Sequence, residues 1–177
     1  DRVWFPGETV IASIGQGYML TTPLQLAHAT AVIAMRGQQV KPRLTLRTED
    51  PLTENTEAVL PTVLETVIGD QHTWYHVIQS MQDVLQAANG TAYATGRDAK
   101  YSFAGKSGTS QVFSVAQEEE YDELELDERL KDHALIVSFA PIELPQVVIA
   151  VIVENGSSGS SVAAPIARAL TDAWLAR

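Results

Sequence analysis

Apolar positions in the first half of the chain recur at three- and four-residue steps, which is the period of an amphipathic helix. A first helix is predicted to begin near Thr22, whose hydroxyl can cap free backbone N–H groups, with Pro23 in the first helical position. Gly37 supplies a left-handed stop for this helix. Residues 1–18, which are rich in glycine, are predicted to be irregular. The positions that continue the helix are Leu26, Ala27, Thr30, Val32, Ile33 and Met35.

A second helix is predicted over residues 71–88, where the same spacing returns and Asn89-Gly90 ends it. Between the two helices, residues 40–46 alternate apolar and polar positions, which predicts a short strand. Pro42 restricts this strand to a sheet edge, because proline lacks the N–H that an inner strand donates. Residues 48–61 are predicted to form a polar surface loop. The apolar stripe of the second helix consists of Trp74, Val77, Ile78, Met81, Val84 and Leu85.

The second half of the chain changes to compact apolar runs that are rich in β-branched residues. Residues 134–140 and 147–153 are two such runs. The spacer of residues 141–145 is too short for a parallel crossover, so an antiparallel hairpin is predicted. One further strand is predicted from apolar residues that flank a glycine-containing centre. These residues are Tyr101, Phe103, Val112, Phe113 and Val115.

The chain is predicted to end in a helix over residues 162–176, with Ser161 as its candidate cap. Three antiparallel strands closed by a terminal helix make an α+β fold, an antiparallel sheet packed with helices. A chain of 177 residues fits one domain or a large part of one, and we interpret residues 1–177 as a single unit. Its start, Asp1-Arg2-Val3-Trp4, has no Met and no signal-peptide pattern, so we expect a piece of a longer protein.

Charge and composition exclude several classes of function. Acidic residues outnumber basic ones 22 to 12, giving a net charge of −10, so a broad basic face for nucleic acid is not expected. There is no cysteine to form a disulfide, a thiolate zinc site or a nucleophile. The apolar run 147–153 is too short to span a bilayer. Residues 118–132 carry most of the negative charge and are expected to form a solvated loop or helix face; docking of a basic partner is the alternative.

Residues 105–110, Gly-Lys-Ser-Gly-Thr-Ser, place a cation, hydroxyls and two glycines inside a predicted strand. Glycine within a strand often marks a close approach of another molecule to the backbone, and a strand edge can pair with an extended peptide. Lys106 and the hydroxyls of Ser107 and Thr109 would suit a carboxylate or an oxyanion. A tight turn or bulge of small residues is the alternative interpretation. A phosphate-binding loop is disfavoured, because Lys100 stands where that motif requires glycine.

Other motif-like features carry weaker signals. His72 and His76 are one helical turn apart, the spacing of a two-histidine metal site, but no third ligand is evident and the zinc-protease glutamate does not follow His72. We therefore expect no metal and no cofactor. Gly15-Gln16-Gly17 lacks the third glycine of a dinucleotide fingerprint, since Leu20 stands there, and indicates only a loop.

Taken in order, the motifs resemble those of the penicilloyl serine transferases and, within them, the class B peptidoglycan transpeptidases. Lys106-Ser107-Gly108-Thr109 is similar to the family's Lys-Thr/Ser-Gly motif. A hairpin follows it, with Ser138-Phe139-Ala140-Pro141 at its turn and Glu154-Asn155-Gly156 at its exit. The resemblance runs from about Gly7 to the C-terminus with a variable middle. The other segments that carry it are Ile14-Gly15-Gln16-Gly17-Tyr18, Thr22-Pro23-Leu24-Gln25 and Glu128-Arg129-Leu130-Lys131-Asp132-His133.

The resemblance implies a β-lactamase/transpeptidase-like fold and assigns roles to four residues. Lys106 would orient the substrate carboxylate and tune proton transfer near the nucleophile. Ser107 and Thr109 would hydrogen-bond the peptide or the β-lactam carboxylate, and the Thr109 backbone N–H would be one of two oxyanion-hole donors. Gly108 would leave room for the substrate to pair along the strand. This assignment expects the Lys106 ammonium to be kept from open solvent and the strand edge to be uncovered.

Two further motifs of the family do not occur in the 177 residues. No serine has a lysine three positions later, and no serine stands two positions before an asparagine. The nucleophile and its general base would then lie outside this chain, which we expect to be an incomplete domain, the C-terminal part of a transpeptidase domain, and inactive by itself. The alternatives are a β-lactam sensor or D,D-carboxypeptidase of the same fold, and a non-catalytic module that binds peptides at its strand edge.

For the parent protein, the resemblance implies cross-linking of peptidoglycan stem peptides that end in D-Ala-D-Ala, together with binding of β-lactam antibiotics. It also implies contact with membrane proteins of the elongation machinery. The expected location is the periplasmic face of the bacterial inner membrane, where an N-terminal helix outside these residues would anchor the parent.

Overall fold

Helices and strands alternate along the chain in the part that the structure describes. The structure is a computed structural model and describes residues 4–112 and 128–177. A short 3₁₀ turn spans Glu128–Leu130, and a π-helical turn spans Gly159–Ala163. The helices and strands are α1 (Pro6–Ser13), α2 (Pro23–Ala34), β1 (Arg47–Glu49), β2 (Thr56–Ala58), α3 (Gln71–Gln86), α4 (Tyr93–Gly96), β3 (Ala104–Ser110), β4 (His133–Ala140), β5 (Val147–Val153) and α5 (Ala164–Leu175).

The central sheet has three antiparallel strands in the order β3-β4-β5. Lys106 lies opposite Val137 in the first pair, and Ala134 lies opposite Val153 in the second. The predicted hairpin and the α+β fold are therefore confirmed. Within the described residues β4 is the inner strand and β3 is an edge strand, so β3 has one side that is not paired with another strand.

Side chains from the two faces of β4 enter two separate apolar clusters, because successive residues of a strand point to opposite faces. Ala134, Ile136 and Ala140 pack against α5 and the turn before it. Phe139 and Val137 belong to the other cluster, which α2 and α3 cover. The residues that these helices contribute are Ala163, Ala164 and Ala167 to the first cluster and Ala34, Ile78 and Met81 to the second.

The predicted start of α2 is confirmed in its atomic detail. The Thr22 hydroxyl accepts a hydrogen bond from the Gln25 backbone N–H at 3.2 Å, and the Gln25 side chain accepts one from the Thr22 N–H at 2.8 Å. This capping box satisfies two N–H groups that have no partner within the helix, and loss of such a cap costs about 1 kcal/mol. Pro23 is the first helical residue.

The left-handed stop predicted at Gly37 lies one residue earlier, at Arg36, which has a φ of 51° directly after the C-cap Met35. Gly37 follows with a φ of 98°, and its N–H donates to the Val32 carbonyl at 2.8 Å.

The second helix is also confirmed, as α3. Asp70 caps it by accepting a hydrogen bond from the His72 N–H at 3.3 Å, and Ala87 ends it. Its apolar stripe buries Ile78, Met81 and Leu85 against the sheet. Leu85 is fully buried against the β3 side of the molecule, so α3 fixes the position of the edge strand.

Three local predictions in the first half are wrong. Residues 6–13 form α1 where irregular chain was predicted, because Pro6 sets the first turn and the glycines act only afterwards, with φ of 79° at Gly15 and 72° at Gly17. The strand predicted over residues 40–46 is reduced to one bridge between Val40 and Val63. The predicted polar loop instead contains the β1–β2 hairpin. All six residues of that hairpin are exposed, so no burial pattern marks them.

The last helix differs from its prediction at its start. A π-helical turn precedes α5, and the Ser158 hydroxyl, rather than Ser161, acts as the cap by accepting a hydrogen bond from the Ser161 N–H at 3.3 Å. The predicted strand residues Phe113 and Val115 lie outside the described residues, as does most of the acidic run 118–132. No helix in the described part of the chain has the length and apolar character needed to cross a membrane.

Candidate active site

The segment singled out in the sequence forms most of β3. Its register on β4 is continuous, from Ala104 opposite Phe139 to Ser110 opposite His133. A tight turn or a bulge would interrupt this ladder, so that alternative interpretation is wrong. A phosphate-binding loop is wrong as well, because the segment is a strand rather than a loop that leads into a helix.

The side chains of this segment alternate across the strand. Lys106 and Gly108 lie on one face, and Ser107 and Thr109 lie on the other. Lys106 and Thr109 are exposed, whereas Ser107 and Gly108 are half-buried. The structure thus brings all four predicted residues to one sheet edge, where groups on both faces are accessible.

Lys106 departs from one expectation. Its side chain is exposed, and its ammonium donates a hydrogen bond to the Ser107 backbone carbonyl at 2.5 Å. The expected shielding from solvent is absent within the described residues, because a long side chain on an edge strand projects beyond the packed part of the sheet. The edge itself is uncovered there, as the assignment requires.

Sequence reasoning missed a neighbour of Ser107. The hydroxyl of Thr91, in the turn between α3 and α4, lies 3.3 Å from the Ser107 hydroxyl, within hydrogen-bond distance. Thr91 follows the Asn89-Gly90 helix end, so its place after α3 was foreseeable, but its partner 16 residues away was not. This contact gives the Ser107 hydroxyl a preferred direction.

The two glycines of the segment meet different surroundings. A Cβ at Gly105 would lie 2.7 Å from the Val137 carbonyl oxygen and 2.9 Å from Leu85 Cδ1, too close for any side chain. A Cβ at Gly108 would have only Leu135 Cβ nearby, at an ordinary 3.5 Å. The packing of α3 on β3 therefore requires Gly105, whereas nothing in the described residues requires Gly108.

A polar cluster attaches the chain just before β3 to α5. The Tyr101 hydroxyl donates to Asp172 at 2.7 Å, and Arg168 pairs with the same carboxylate at 2.8 Å. Arg168 also donates to the Thr95 backbone carbonyl at 2.9 Å. Burial and the hydrogen bond to Asp172 raise the pKa of Tyr101 above its ordinary value of 10.0. These contacts fix the point at which the chain enters the edge strand.

A second polar contact holds the same entry point from the other side. The Ser102 hydroxyl accepts a hydrogen bond from the Ile142 N–H at 2.8 Å and donates one to the Glu143 carboxylate. This donation, with a backbone hydrogen bond, lowers the pKa of Glu143. The start of β3 is thereby tied to the turn between β4 and β5.

Other candidate sites lie away from this edge. His72 and His76 have their Nε2 atoms 2.9 Å apart on α3, and the described residues contain no group of three or more metal-ligating side chains. A cavity of about 120 Å³ lies between α2 and the β4–β5 turn, lined by Ala31, Ala34, Met35 and residues 145–148. No residue of the Lys106–Thr109 segment lines it.

An antiparallel sheet flanked by helices, with a Lys-Ser-Gly-Thr segment on an edge strand, defines a transpeptidase-like α+β protein. The chain belongs to the penicillin-binding protein transpeptidase family. Its residues 2–172 match the family described as penicillin binding protein transpeptidase domain. The fold class and the family predicted from the sequence are both confirmed.

Individual relatives show which members of the family the chain is similar to. The chain is 40% identical over 176 residues to the peptidoglycan D,D-transpeptidase MrdA of Haemophilus influenzae, covering 98% of this chain and 27% of the relative. A crystal structure of Pseudomonas aeruginosa PBP2 in complex with WCK 5153 superposes with a TM-score of 0.78 at 41% identity, covering 98% of this chain and 35% of that one.

A structure of Helicobacter pylori PBP2 in complex with MreC gives a TM-score of 0.75 at 26% identity, covering 98% and 28% of the two chains. The similarity to penicillin-binding protein 2, which the ordered motifs predict, is thus confirmed. The chain spans about a quarter of the length of the curated relatives it matches.

Proposed function

We propose that residues 1–177 are the C-terminal portion of a peptidoglycan D,D-transpeptidase domain and form one wall of its acyl-transfer cleft. In the reaction, the oxygen of a serine attacks the carbonyl carbon of a D-Ala-D-Ala stem peptide and gives up its proton. The bond to the terminal D-alanine breaks as the D-alanine nitrogen takes up a proton, which leaves an acyl-serine ester. The amine of a neighbouring stem then attacks this ester and loses a proton, and the serine oxygen leaves and regains one. The family match and the D,D-transpeptidase relatives support this assignment.

The observation that carries the proposal is the position of the Lys-Ser-Gly-Thr segment on an edge strand that is uncovered within the described residues. An edge strand offers backbone N–H and C=O groups to an extended peptide, which can add as a further strand. Gly108 supports this use, because the chain's own packing does not require glycine there. A glycine that internal packing does not require can instead leave space for a substrate backbone to approach the strand closely.

The proposed roles of the four residues follow from this pairing. Lys106 orients the substrate carboxylate and assists proton transfer near the serine. This role requires the part of the cleft that carries the serine, outside these residues, to supply the shielding of the ammonium that the described residues lack. Ser107 and Thr109 hydrogen-bond the peptide or β-lactam carboxylate. The Thr109 backbone N–H serves as an oxyanion-hole donor, together with the N–H of the serine.

We further propose that the chain alone does not acylate, since its 177 residues contain no serine followed by lysine three positions later. The full-length protein that carries it would react with β-lactams and act at the periplasmic face of the inner membrane. It would contact membrane proteins of the elongation machinery. The complex of the Helicobacter pylori relative with MreC supports the coarser expectation of a partner protein.

Covalent labelling by a fluorescent penicillin tests the proposal. The full-length protein is expected to label, and Lys106→Ala is expected to slow labelling about 100-fold, the scale of a lost proton-transfer group. Lys100→Ala is the matched control, because Lys100 is also an exposed lysine but lies outside β3, and it should label at the unsubstituted rate. The isolated chain should not label.

Three results would count against this assignment. Stoichiometric labelling of the isolated chain would show that the nucleophile lies within it. Unchanged labelling of the Lys106→Ala protein would remove the role of that lysine. Absence of labelling in the full-length protein, with stem-peptide binding that does not depend on Lys106 in calorimetry, would favour a non-catalytic peptide-binding module.

A further inference from the structure

Gly159 lies directly behind the proposed site. It opens the π-helical turn that joins β5 to α5, and it is buried against the backbone of β3 and β4. A Cβ at this position would lie 2.3 Å from the Leu135 carbonyl oxygen, 2.5 Å from the Gly108 carbonyl oxygen and 3.0 Å from the Gly108 nitrogen. Its φ lies outside the left-handed region, so the requirement for glycine is one of space.

Gly159 can affect the proposed oxyanion donor, the Thr109 N–H, because the Gly108 carbonyl that lies near Gly159 shares a rigid peptide group with that N–H. The Gly108 carbonyl and the Thr109 N–H belong to the same planar, trans peptide group, in which C=O and N–H point in opposite directions. Gly108 lies opposite Leu135 of β4, and a Cβ at Gly159 would crowd the carbonyl end of this unit. The Thr109 N–H therefore points the other way, toward the free edge of β3, and any displacement of the carbonyl tilts the N–H with it.

The turn that carries Gly159 is held firmly against the start of β4. The Ser157 N–H donates to the Asp132 carbonyl at 2.8 Å, and the Asn155 side chain donates to the Lys131 carbonyl at the same distance. Gly156 fits tightly against the side chains of Val153 and Ala134. Because the turn is held there, a side chain at 159 would press on Leu135 of β4 and on Gly108 of β3. The edge strand β3 is paired on one side only within the described residues, so it is the strand expected to move more.

We propose that Gly159 is a positioning residue for the oxyanion hole, which sets the tilt of the peptide group that carries the Thr109 N–H. This inference rests on the proposed function. A Cβ at 159 would require the Gly108 oxygen to move by about 1 Å to reach an ordinary separation of roughly 3.5 Å. Misplacement of catalytic geometry by about 1 Å can cost 100-fold in rate.

The test is the kinetics of acylation in the full-length protein. The dependence of the labelling rate on penicillin concentration separates the acylation rate constant from the dissociation constant of the non-covalent complex. Gly159→Ala should lower the acylation rate constant about 10- to 100-fold and leave the dissociation constant within about threefold, since an oxyanion donor acts mainly in the transition state.

Gly156→Ala is the matched control from the same turn. Its new Cβ would crowd Val153 Cγ1 at 2.9 Å and Ala134 Cβ at 3.1 Å, and no atom of β3 is among its nearest contacts. It should lower the melting temperature but keep the acylation rate constant of the folded protein. If Gly159→Ala acylates as fast as Gly156→Ala, the proposed role of Gly159 is wrong.

A milder pair of variants covers the case in which Gly159→Ala does not fold. Ser158→Ala removes the acceptor for the Ser161 N–H and loosens the turn without adding bulk, so it should lower the acylation rate constant several-fold. Ser161→Ala leaves that hydrogen bond intact and should change nothing. Equal rate constants in these two variants would contradict the proposal.

The result also separates this inference from the proposed function. If the unsubstituted full-length protein does not acylate, both proposals fail. If Lys106→Ala acylates normally, the role of Lys106 fails, and the comparison of Gly159→Ala with Gly156→Ala still decides the positioning role. If acylation depends on Lys106 and is indifferent to Gly159, only the positioning role fails.

Discussion

Gly105 and Gly108 stand three residues apart in one strand, and their substitution should have opposite consequences. Gly105→Ala forces a methyl group against the Val137 carbonyl and Leu85, so the free energy of unfolding should fall by about 1–3 kcal/mol, as overpacking does. Gly108→Ala meets no such obstacle and should leave stability within about 1 kcal/mol. Acylation should nevertheless slow in Gly108→Ala, because under the proposed function the new methyl group takes up space beside the edge along which the substrate backbone pairs.

Thermal unfolding and penicillin labelling of the two variants in the full-length protein would measure this contrast. A Gly108→Ala protein that is strongly destabilised, or one that labels at the unsubstituted rate, would contradict the view that this glycine serves the substrate. The comparison isolates a functional glycine from a packing glycine within the same seven-residue strand.

At the scale of elements, the contact between the start of β3 and α5 depends on the protonation of Tyr101. The pKa of Tyr101 is raised on folding, so its contribution to stability is complete below the ordinary value of 10.0 and decreases as pH rises above it. Tyr101→Phe cannot ionise and lacks the hydrogen bond to Asp172. Denaturant unfolding at pH 8 and pH 11 should therefore show a smaller loss of stability for Tyr101→Phe than for the unsubstituted chain.

Equal losses in the two proteins would show that Tyr101 does not link α5 to the edge strand in a pH-dependent way. Tyr93→Phe provides a control for the general effect of removing a tyrosine hydroxyl, since it lies in the neighbouring α4. That variant should follow the unsubstituted protein at both pH values.

At the scale of the whole molecule, burial is unevenly distributed. The residues of β4 are largely buried between the two apolar clusters, whereas α1, β1 and β2 contain no buried residue. Local opening requires little free energy where few apolar contacts are lost. Amide hydrogen exchange of the isolated chain should therefore be slowest in β4 and fastest in residues 6–13 and 47–58. Protection of α1 equal to that of β4 would contradict this.

Elements with a strong local signal were predictable from the sequence. The capping box at Thr22, the apolar stripe of α3 and the β4–β5 hairpin follow from residues close together in the chain, and each is confirmed. The β1–β2 hairpin was not predictable, because its residues are all exposed and show no alternation of burial. The strand predicted over residues 40–46 is wrong for the opposite reason. The alternating pattern is present in the sequence, but within the described residues only Val40 pairs with another segment, through a single bridge to Val63.

The residues of the candidate site were predictable from the sequence, but the residues of distant segments that contact them were not. Lys106 to Thr109 could be read directly from composition and from the family resemblance. The contact of Thr91 with Ser107, 16 residues away, and the contact of Gly159 with Gly108 depend on how distant segments meet. In the sequence Gly159 lies within a serine- and glycine-rich tract that indicates only a turn. That a side chain at 159 would collide with Gly108 follows only from the three-dimensional structure.

The connections of the central sheet have a consequence for the order in which it assembles. Residues 141–146 join β4 to β5, whereas residues 111–132, more than three times as many, separate β3 from β4. Closing the longer connection loses about 1 kcal/mol more chain entropy than closing the shorter one. The strand that carries Lys106 is thus the one whose attachment is least favoured by chain connectivity, and it relies on Leu85, Tyr101 and Gly159 to hold it once it has docked.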